Sequence, residues 1–304
     1  MSRGRGYRNS SETLETIPRV AAPVLMATSS VRSGLPRILA SLGLLVAVLI
    51  LLPALLSFCG ERLDPYTMSS AHSFAEPGSE FLLGGDSFGR NMTARVVAAS
   101  GLTLQAIAVA VATALFLGVA IGALAGWHHG RWPDHCISWI IGLIYTVPFY
   151  LIAIAVAAVV RPELTGAFFI LGLLAWAVPA RLVRAEMIQL RQSLYVTALR
   201  ASGFSETFIL WRVLLPLSIA PAIVAIAFFV PELIGVEIGL SFFGLGAQPP
   251  TPSLGRELYG GLSHLGSAPW LVWIPAATIL AIVLSFFALG RFLAGALPNR
   301  SQES

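Results

Sequence analysis

The chain has no lysine, and only 11% of its 304 residues are charged. A phosphate-binding loop of the Walker type needs a lysine, so any ATP hydrolysis must be supplied by another subunit. The share of hydrophobic residues, 56%, is above the range of soluble domains and predicts an integral membrane protein. The net charge of +4 comes without a basic patch interleaved with aromatic residues, which argues against nucleic-acid binding.

The sequence is also poor in groups that build reactive or metal sites. Cys59 and Cys136 are the two cysteines and have no paired spacing, so we interpret both as small core residues. No serine-hydrolase, His-Glu-x-x-His or paired aspartate motif supports an intramembrane hydrolase. A channel would place a filter or a charged ring in its pore, whereas the largest polar segment here lies between spans. We predict neither a catalytic residue nor a metal site.

Apolar stretches recur along the chain. A helix needs about 20 apolar residues to cross the hydrocarbon core. The first stretch starts too late and runs too long for a secretory signal, so we interpret it as an uncleaved span. We therefore predict an all-α membrane protein with six transmembrane helices. The predicted spans are 35–58, 102–127, 136–160, 165–180, 219–240 and 270–293.

The arginines are unevenly distributed between the two sides that six spans define. Most of them lie in the N-terminal segment, in the loops after the second and fourth spans, and near the C-terminus. Because basic residues favour the cytoplasmic side, these segments and both termini are predicted to be cytoplasmic. The predicted organisation is a cytoplasmic N-terminal segment (1–34), the first span with an external loop (35–99), the transmembrane core (100–298) and a cytoplasmic tail (299–304).

The segment 181–216 is a polar stretch between two apolar ones, and it carries five arginines. Its residues 195–201 favour a helix that Ser202 and Gly203 interrupt. Ser205 can cap a second helix that ends at Pro216. Two short helices joined at a glycine would make a compact element. The apolar side chains of the second helix need a partner or the protein's own helix ends as cover.

The arrangement of helix, glycine and proline in this polar segment resembles that of a known family. The stretch Tyr195-Val-Thr-Ala-Leu-Arg-Ala-Ser-Gly203, followed by Pro216, resembles the EAA loop of permease subunits of binding-protein-dependent ABC importers. The resemblance is greatest to C-type permeases of dipeptide, oligopeptide and nickel systems. Four further stretches are similar to segments of that subgroup, in the expected order: 83–91 (LGGDSFGRN), 180–186 (ARLVRAE), 237–253 (EIGLSFFGLGAQPPTPS) and 267–270 (SAPW).

The chain departs from the family pattern at a few positions. Thr197 stands where the EAA loop has its glutamate, and Leu199 where it has its second alanine. Arg256 occupies a position that is usually uncharged in the family. The acidic residues that usually precede the C-terminus are missing from 290–298.

The resemblance implies a six-helix type I importer permease of the MetI-like fold, without catalytic activity, in the bacterial inner membrane. Its partners would be a second permease subunit, two cytoplasmic ATPases, an extracytoplasmic binding protein and membrane lipid. ATP and Mg would be bound by the ATPases, and no cofactor by this chain. Arg200 and Arg212 would meet the rim of an ATPase cleft, with a solvated or lipid-headgroup-facing role as the alternative. The coupling residues implied are Tyr195, Thr197, Ala198, Arg200, Ala201, Gly203, Phe204 and Pro216.

Two acids in the fifth predicted span are candidates for translocation or gating. Glu232 and Glu237 lie where ionisable groups are costly and usually face a cavity or a partner. For Glu237 we favour a structural or gating hydrogen bond over direct contact with substrate. The alternative function is an ion-coupled secondary transporter that uses both acids. Among the importer substrates, dipeptides, oligopeptides, nickel and glutathione all stay open.

Two predicted external segments are candidates for assembly or docking, with the capping of helix ends as the alternative. Asp86, Gly89 and Arg90 can form a turn with an internal Asp to Arg pair. The prolines after Gln248 restrict the backbone and predict a stiff, extended segment. The candidates in this second segment are Gln248, Pro249, Pro250 and Pro252.

Overall fold

The computed structural model describes residues 64–78, 81–160 and 164–296. The predicted first span 35–58, the N-terminal segment 1–34 and the tail 299–304 lie outside these residues. In the described part the regular structure is helical, apart from an isolated bridge between Gly85 and Asn91. The all-α prediction is therefore confirmed for this part of the chain.

The first half of the described chain forms five helices. The longest of them, α1, starts ten residues before the predicted span, because the Asn91 side chain caps it by accepting from the amides of Thr93 and Ala94. The bounds are α1 Met92–Trp127, α2 Trp132–Thr146, α3 Phe149–Val160, α4 Leu164–Ala175 and α5 Ala177–Arg191.

The second half contains the long helices that flank the polar segment and the C-terminal part. Between α7 and α8 the helix passes through one π-helical turn, in which the Leu215 amide donates to the Leu210 carbonyl. The bounds are α6 Leu194–Ala201, α7 Glu206–Ile209, the π turn Leu210–Leu214, α8 Leu215–Phe242, α9 Leu254–Leu262 and α10 Trp270–Ala296.

The predicted third span is broken. Helices α2 and α3 meet at an angle of 81° at Val147 and Pro148. Proline removes a backbone donor and disfavours the α conformation of the residue before it, which explains a break at this point. The single helix predicted over 136–160 is therefore two helices, and the pair together stays a candidate for one span.

Helix extends further into the polar segment 181–216 than predicted. Together α4 and α5 run from Leu164 to Arg191, well beyond the predicted end of the fourth span. The prediction that a short second helix ends at Pro216 is also wrong, because helix continues from Glu206 to Phe242. The π turn just before Pro216 interrupts the regular hydrogen-bond ladder where proline has no amide to donate. The segment that connects the two long helices is thus 192–205.

Four helices are long and apolar enough to cross a membrane by length and composition, and the bent pair α2 and α3 is a fifth candidate. Within the described residues, these helices account for four or five of the six predicted spans. The four long candidates are Met92–Trp127, Leu164–Arg191, Glu206–Phe242 and Trp270–Gly295.

Helix α1 lies at the centre of the packing and presents small residues to α4 and α5. Ala106, Ala110 and Ala114 on its inner side are fully buried. A side chain on Gly122 would overlap the Ala180 carbonyl of α5, so this glycine permits close contact between the two backbones. By contrast, Cys136 on α2 is exposed, and its interpretation as a core residue is wrong.

The substitution Gly122→Ala should loosen the contact between α1 and α5. The added methyl group forces the Ala180 backbone to move, and overpacking of this kind costs about 1–3 kcal/mol. We expect a lower melting temperature of the purified protein in detergent. Gly142→Ala is the matched control, because nothing lies within 4 Å of its added methyl group and alanine favours a helix. Equal melting temperatures for the two variants would contradict the close packing.

Candidate functional site

The knob, defined as residues 192–214, is a compact element at the C-terminal ends of α1 and α5. Helix α6 starts at Ser193, whose hydroxyl accepts from the Val196 amide at 3.4 Å. Val196 is fully buried in a cluster with Met187 of α5 and Leu214. The knob is therefore anchored to the long helices by its inner face.

Gly203 ends α6 in the left-handed region, with φ of +82°. Its amide donates to the Arg200 carbonyl at 3.0 Å, and the Phe204 amide donates to the Leu199 carbonyl at 3.2 Å. This pair of bonds is a Schellman motif, in which only glycine avoids a steric penalty. The predicted helix break at Gly203 is confirmed, and it fixes the direction in which the chain enters α7.

Arg200 forms an ion pair inside the knob. Its guanidinium contacts Glu206 with Nε to Oε1 at 2.7 Å and Nη2 to Oε2 at 3.2 Å. The two side chains are 33% and 52% exposed, so this ion pair contributes about 0–1 kcal/mol. Arg200 therefore has an intramolecular partner, whereas Arg212 is exposed, and the contact of either arginine with an ATPase stays a prediction.

The outer face of the knob is apolar and open. The Phe204 and Phe208 rings stack with centroids 5.1 Å apart, and both are exposed. Tyr195 on α6 is 59% exposed. Apolar side chains clustered at one end of a protein indicate a surface that a partner covers. The other implied coupling residues that lie exposed are Thr197, Ala198, Ala201, Gly203 and Pro216.

A second polar cluster supports the knob, and the sequence did not predict it. Asp134 at the start of α2 is buried and accepts from Arg184 of α5 at 2.5 and 3.0 Å. It also accepts from the Gly130 amide at 3.0 Å and contacts the ring of His129 at 2.9 Å. This cluster ties the turn between α1 and α2 to α5. Asp134 lies in the predicted loop between the spans 102–127 and 136–160, where an acid is ordinary, so no local signal marks the cluster.

Arg191 makes a further link between the same helices. Its guanidinium lies 4.7 Å from the centroid of the Trp127 ring and donates to the Trp127 carbonyl. The C-terminal ends of α1 and α5 are therefore joined directly beneath the knob, so a displacement of the knob moves both helices.

The opposite end of α1 carries a polar cap, defined as residues 64–91 and 244–268. The Asp86 carboxylate accepts from the Arg90 Nε at 2.6 Å and from the amides of Phe88 and Arg90. Gly89 has φ of +69°, and an added side chain would overlap the Ser69 carbonyl. The predicted turn with an internal Asp to Arg pair is confirmed.

The proline segment of the cap is less extended than predicted. The chain turns at Pro249 and Pro250, where the Thr251 amide donates to the Gln248 carbonyl at 3.0 Å. Proline fixes φ at a value that suits turns as well as extended chain, so the restricted backbone closes here instead of continuing straight. The Gln248 side-chain amide donates to the carbonyls of Gly244 and Gly246.

The two acids of α8 have different surroundings. Glu237 is fully buried and accepts from the Gly255 amide at 2.8 Å and from the Ser241 hydroxyl at 3.2 Å. These bonds join the end of α8 to the start of α9. Glu232 lies exposed on the surface of the described chain, on a helix otherwise rich in apolar residues. The structure therefore does not bring the two acids into one site.

A buried ion pair, which no local sequence pattern marks, holds the cap together. Arg95, 2% exposed, donates to Glu257 of α9 with Nε to Oε2 at 2.9 Å and Nη2 to Oε1 at 2.5 Å. It also donates to the Pro65 carbonyl at 3.1 Å. The two segments of the cap and the start of α1 therefore meet at one guanidinium.

These features define a multi-span membrane protein that has a rigid, partly apolar knob at one end of its helices and a polar cap at the other. The chain belongs to the family of binding-protein-dependent transport system inner membrane components, whose family model matches residues 118–297. It is the permease subunit of an ABC importer, a multi-pass inner-membrane protein with the MetI-like helical fold.

Individual relatives are similar over most of their length. The dipeptide transport system permease protein DppC of Alkalihalophilus pseudofirmus is 35% identical over 227 residues, which cover 75% of this chain and 74% of the relative. The glutathione transport system permease protein GsiD of Pectobacterium atrosepticum is 31% identical over 83% and 84%. The oligopeptide transport system permease protein OppC of Bacillus subtilis is 28% identical over 87% of each chain. An ion-coupled secondary transporter is not favoured by these matches.

Proposed function

We propose that this permease forms half of the pathway of an ATP-driven importer for peptides or similar small solutes. A second permease subunit would supply the other half, two cytoplasmic ATPases the energy, and an extracytoplasmic binding protein the solute. The names of the relatives, which transport dipeptides, oligopeptides and glutathione, support this class of solute.

The observation that carries the proposal is the knob. Its inner face is anchored by buried Val196, while its outer face exposes Tyr195, Phe204 and Phe208. A short helix fixed at both ends by Ser193 and Gly203 is stiff enough to transmit a rigid-body movement, whereas a flexible loop would absorb it. The knob is thus suited to sit in a cleft of one ATPase and to pass its movement to α1, α5 and α8.

The proposed orientation puts the knob and both termini in the cytoplasm. The arginines of α5 and of the knob support it, because basic residues favour the cytoplasmic side of a membrane. ATP and Mg would then be bound only in the ATPase subunits, and this chain would bind no cofactor of its own.

The cap would face outward in this orientation. The turn at Asp86, Gly89 and Arg90 and the segment Gln248, Pro249, Pro250 and Pro252 are suited to contact the binding protein or the second permease, because hydrogen bonds give both a fixed shape.

The two acids of α8 would have separate roles. The buried bonds of Glu237 suit a structural or gating role at the outer mouth. Glu232, exposed on a membrane helix, suits a place along the translocation path, where a carboxylate can stay solvated.

The test is co-purification of the tagged chain from its native membrane. We expect the wild type to bring down two ATPases and a second permease. Tyr195→Asp should reduce the recovery of the ATPases about tenfold or more while the second permease stays, because a charge enters an apolar contact. Tyr66→Asp is the control, since Tyr66 is also exposed but lies in the cap. A chain that purifies alone, or equal recoveries for the two variants, would contradict the proposal.

A further inference from the structure

The cap encloses a cavity of about 290 Å³ next to the start of α9. Liquid water takes about 30 Å³ per molecule, so the space exceeds what a few bridging waters need. The ionisable and amide side chains that line it are Asp86, Arg90, Arg95, Gln248, Arg256 and Glu257. Three cations and two carboxylates therefore meet there.

Both carboxylates are already occupied by two of the arginines. Arg95 contacts both oxygens of Glu257 at 2.9 and 2.5 Å. Arg90 contacts Asp86 at 2.6 Å, and two backbone amides donate to the other oxygen of Asp86. The third arginine, Arg256, is left as the excess positive charge of the cavity.

Arg256 forms no ion pair within the described residues, and the nearby Glu257 carboxylate, whose charge acts on it, is already held by Arg95. The Arg256 Nη1 donates to the Ala247 carbonyl at 2.9 Å, and no carboxylate oxygen of the described chain lies within 4.0 Å of it. Burial is the main cause that lowers the pKa of this guanidinium. A partly buried cation without a counter-ion is costly unless an anion reaches it from outside.

The backbone of α9 is not the source of the anion site. The first amides of this helix are taken by other groups of the chain: Leu254 donates to the Thr103 hydroxyl, and Gly255 to Glu237. The Arg256 amide donates to the Ser253 hydroxyl at 3.4 Å. Any anion in the cavity would therefore be held by the Arg256 side chain.

We propose that the cap cavity binds a free carboxylate of the transported solute, with the Arg256 guanidinium as its partner. The inference rests on the proposed function, because a peptide carries such a carboxylate at its C-terminus. A planar guanidinium binds a carboxylate through two parallel hydrogen bonds.

The test uses the purified complex in detergent, without the binding protein, and two probes: alanyl-alanine and its C-terminal amide. Binding is followed by saturation-transfer NMR. We expect the dipeptide to bind the wild type and the amide to bind at least about tenfold more weakly, since a charge-assisted pair is lost. Arg256→Gln should weaken binding of the dipeptide by a similar factor and leave binding of the amide unchanged. Arg291→Gln, an exposed arginine outside the cavity, is the charge-matched control.

Equal binding of acid and amide by the wild type would overturn the inference, and this comparison needs no variant to fold. Unchanged dipeptide binding by Arg256→Gln would also overturn it, because the carboxylate would then not be held by this guanidinium. ATP-dependent peptide uptake by wild-type proteoliposomes distinguishes a failure of the carboxylate site from a failure of the proposed importer function. If uptake occurs while acid and amide bind equally, only the carboxylate site is wrong.

Discussion

Replacing Glu257 by glutamine should lower the free energy of unfolding by about 3–5 kcal/mol, because it leaves the Arg95 guanidinium buried without its main counter-ion. Asp86 is 3.7 Å from Arg95, but it already pairs with Arg90 and can compensate only in part. The cap should open first, since the pair joins α1 to α9. Thermal unfolding and limited proteolysis of the purified permease would measure the loss.

Two comparisons separate this effect from a general effect of removing a glutamate. Glu206→Gln breaks an ion pair that is exposed on both sides, so it should change stability by only about 0–1 kcal/mol. The double variant Arg95→Met with Glu257→Leu removes both charges and should recover much of the loss, because a packed apolar pair of similar size often matches a buried ion pair. If Glu257→Gln and Glu206→Gln melt at the same temperature, the Arg95 pair does not hold the cap.

The sequence predicted features that depend on neighbouring residues. The helix 195–201, its end at Gly203 and the turn at Asp86 all follow from capping and turn preferences over a few residues. The structure has each of them within one or two residues of the predicted position. The roles of these residues in coupling and docking stay predictions.

What the sequence could not predict are features that depend on distant partners. Arg95 and Glu257 are 162 residues apart, and Arg184 and Asp134 are 50 apart, so no local pattern marks either pair. The helix boundaries failed for a related reason. Hydropathy detects where a helix is apolar, but α5 continues as a polar helix to Arg191, and the helix that includes α8 already begins at Glu206.

Gly203 is the residue whose substitution should most disturb coupling. A β-branched side chain at φ of +82° costs about 1–2 kcal/mol, which shifts the equilibrium between ordered and disordered turn by about 5–30-fold. Nothing lies within 4 Å of an added methyl group, so the effect comes from the backbone and not from a clash. With Gly203→Val we expect ATP hydrolysis to continue while ATP-dependent uptake falls about tenfold.

The physical reason lies in the two bonds that Gly203 and Phe204 make to α6. When the turn loses them, the exposed face of Tyr195 and Phe204 no longer moves with the buried face at Val196, so force from the ATPase is lost in the knob. Gly203→Asn should keep uptake within about twofold to threefold of wild type, because asparagine tolerates this region. Gly78→Val carries the same backbone strain in the cap, at φ of +85°, and should leave the ratio of uptake to hydrolysis unchanged. If all three variants lower that ratio alike, backbone strain at the knob is not what couples the ATPase to the pathway.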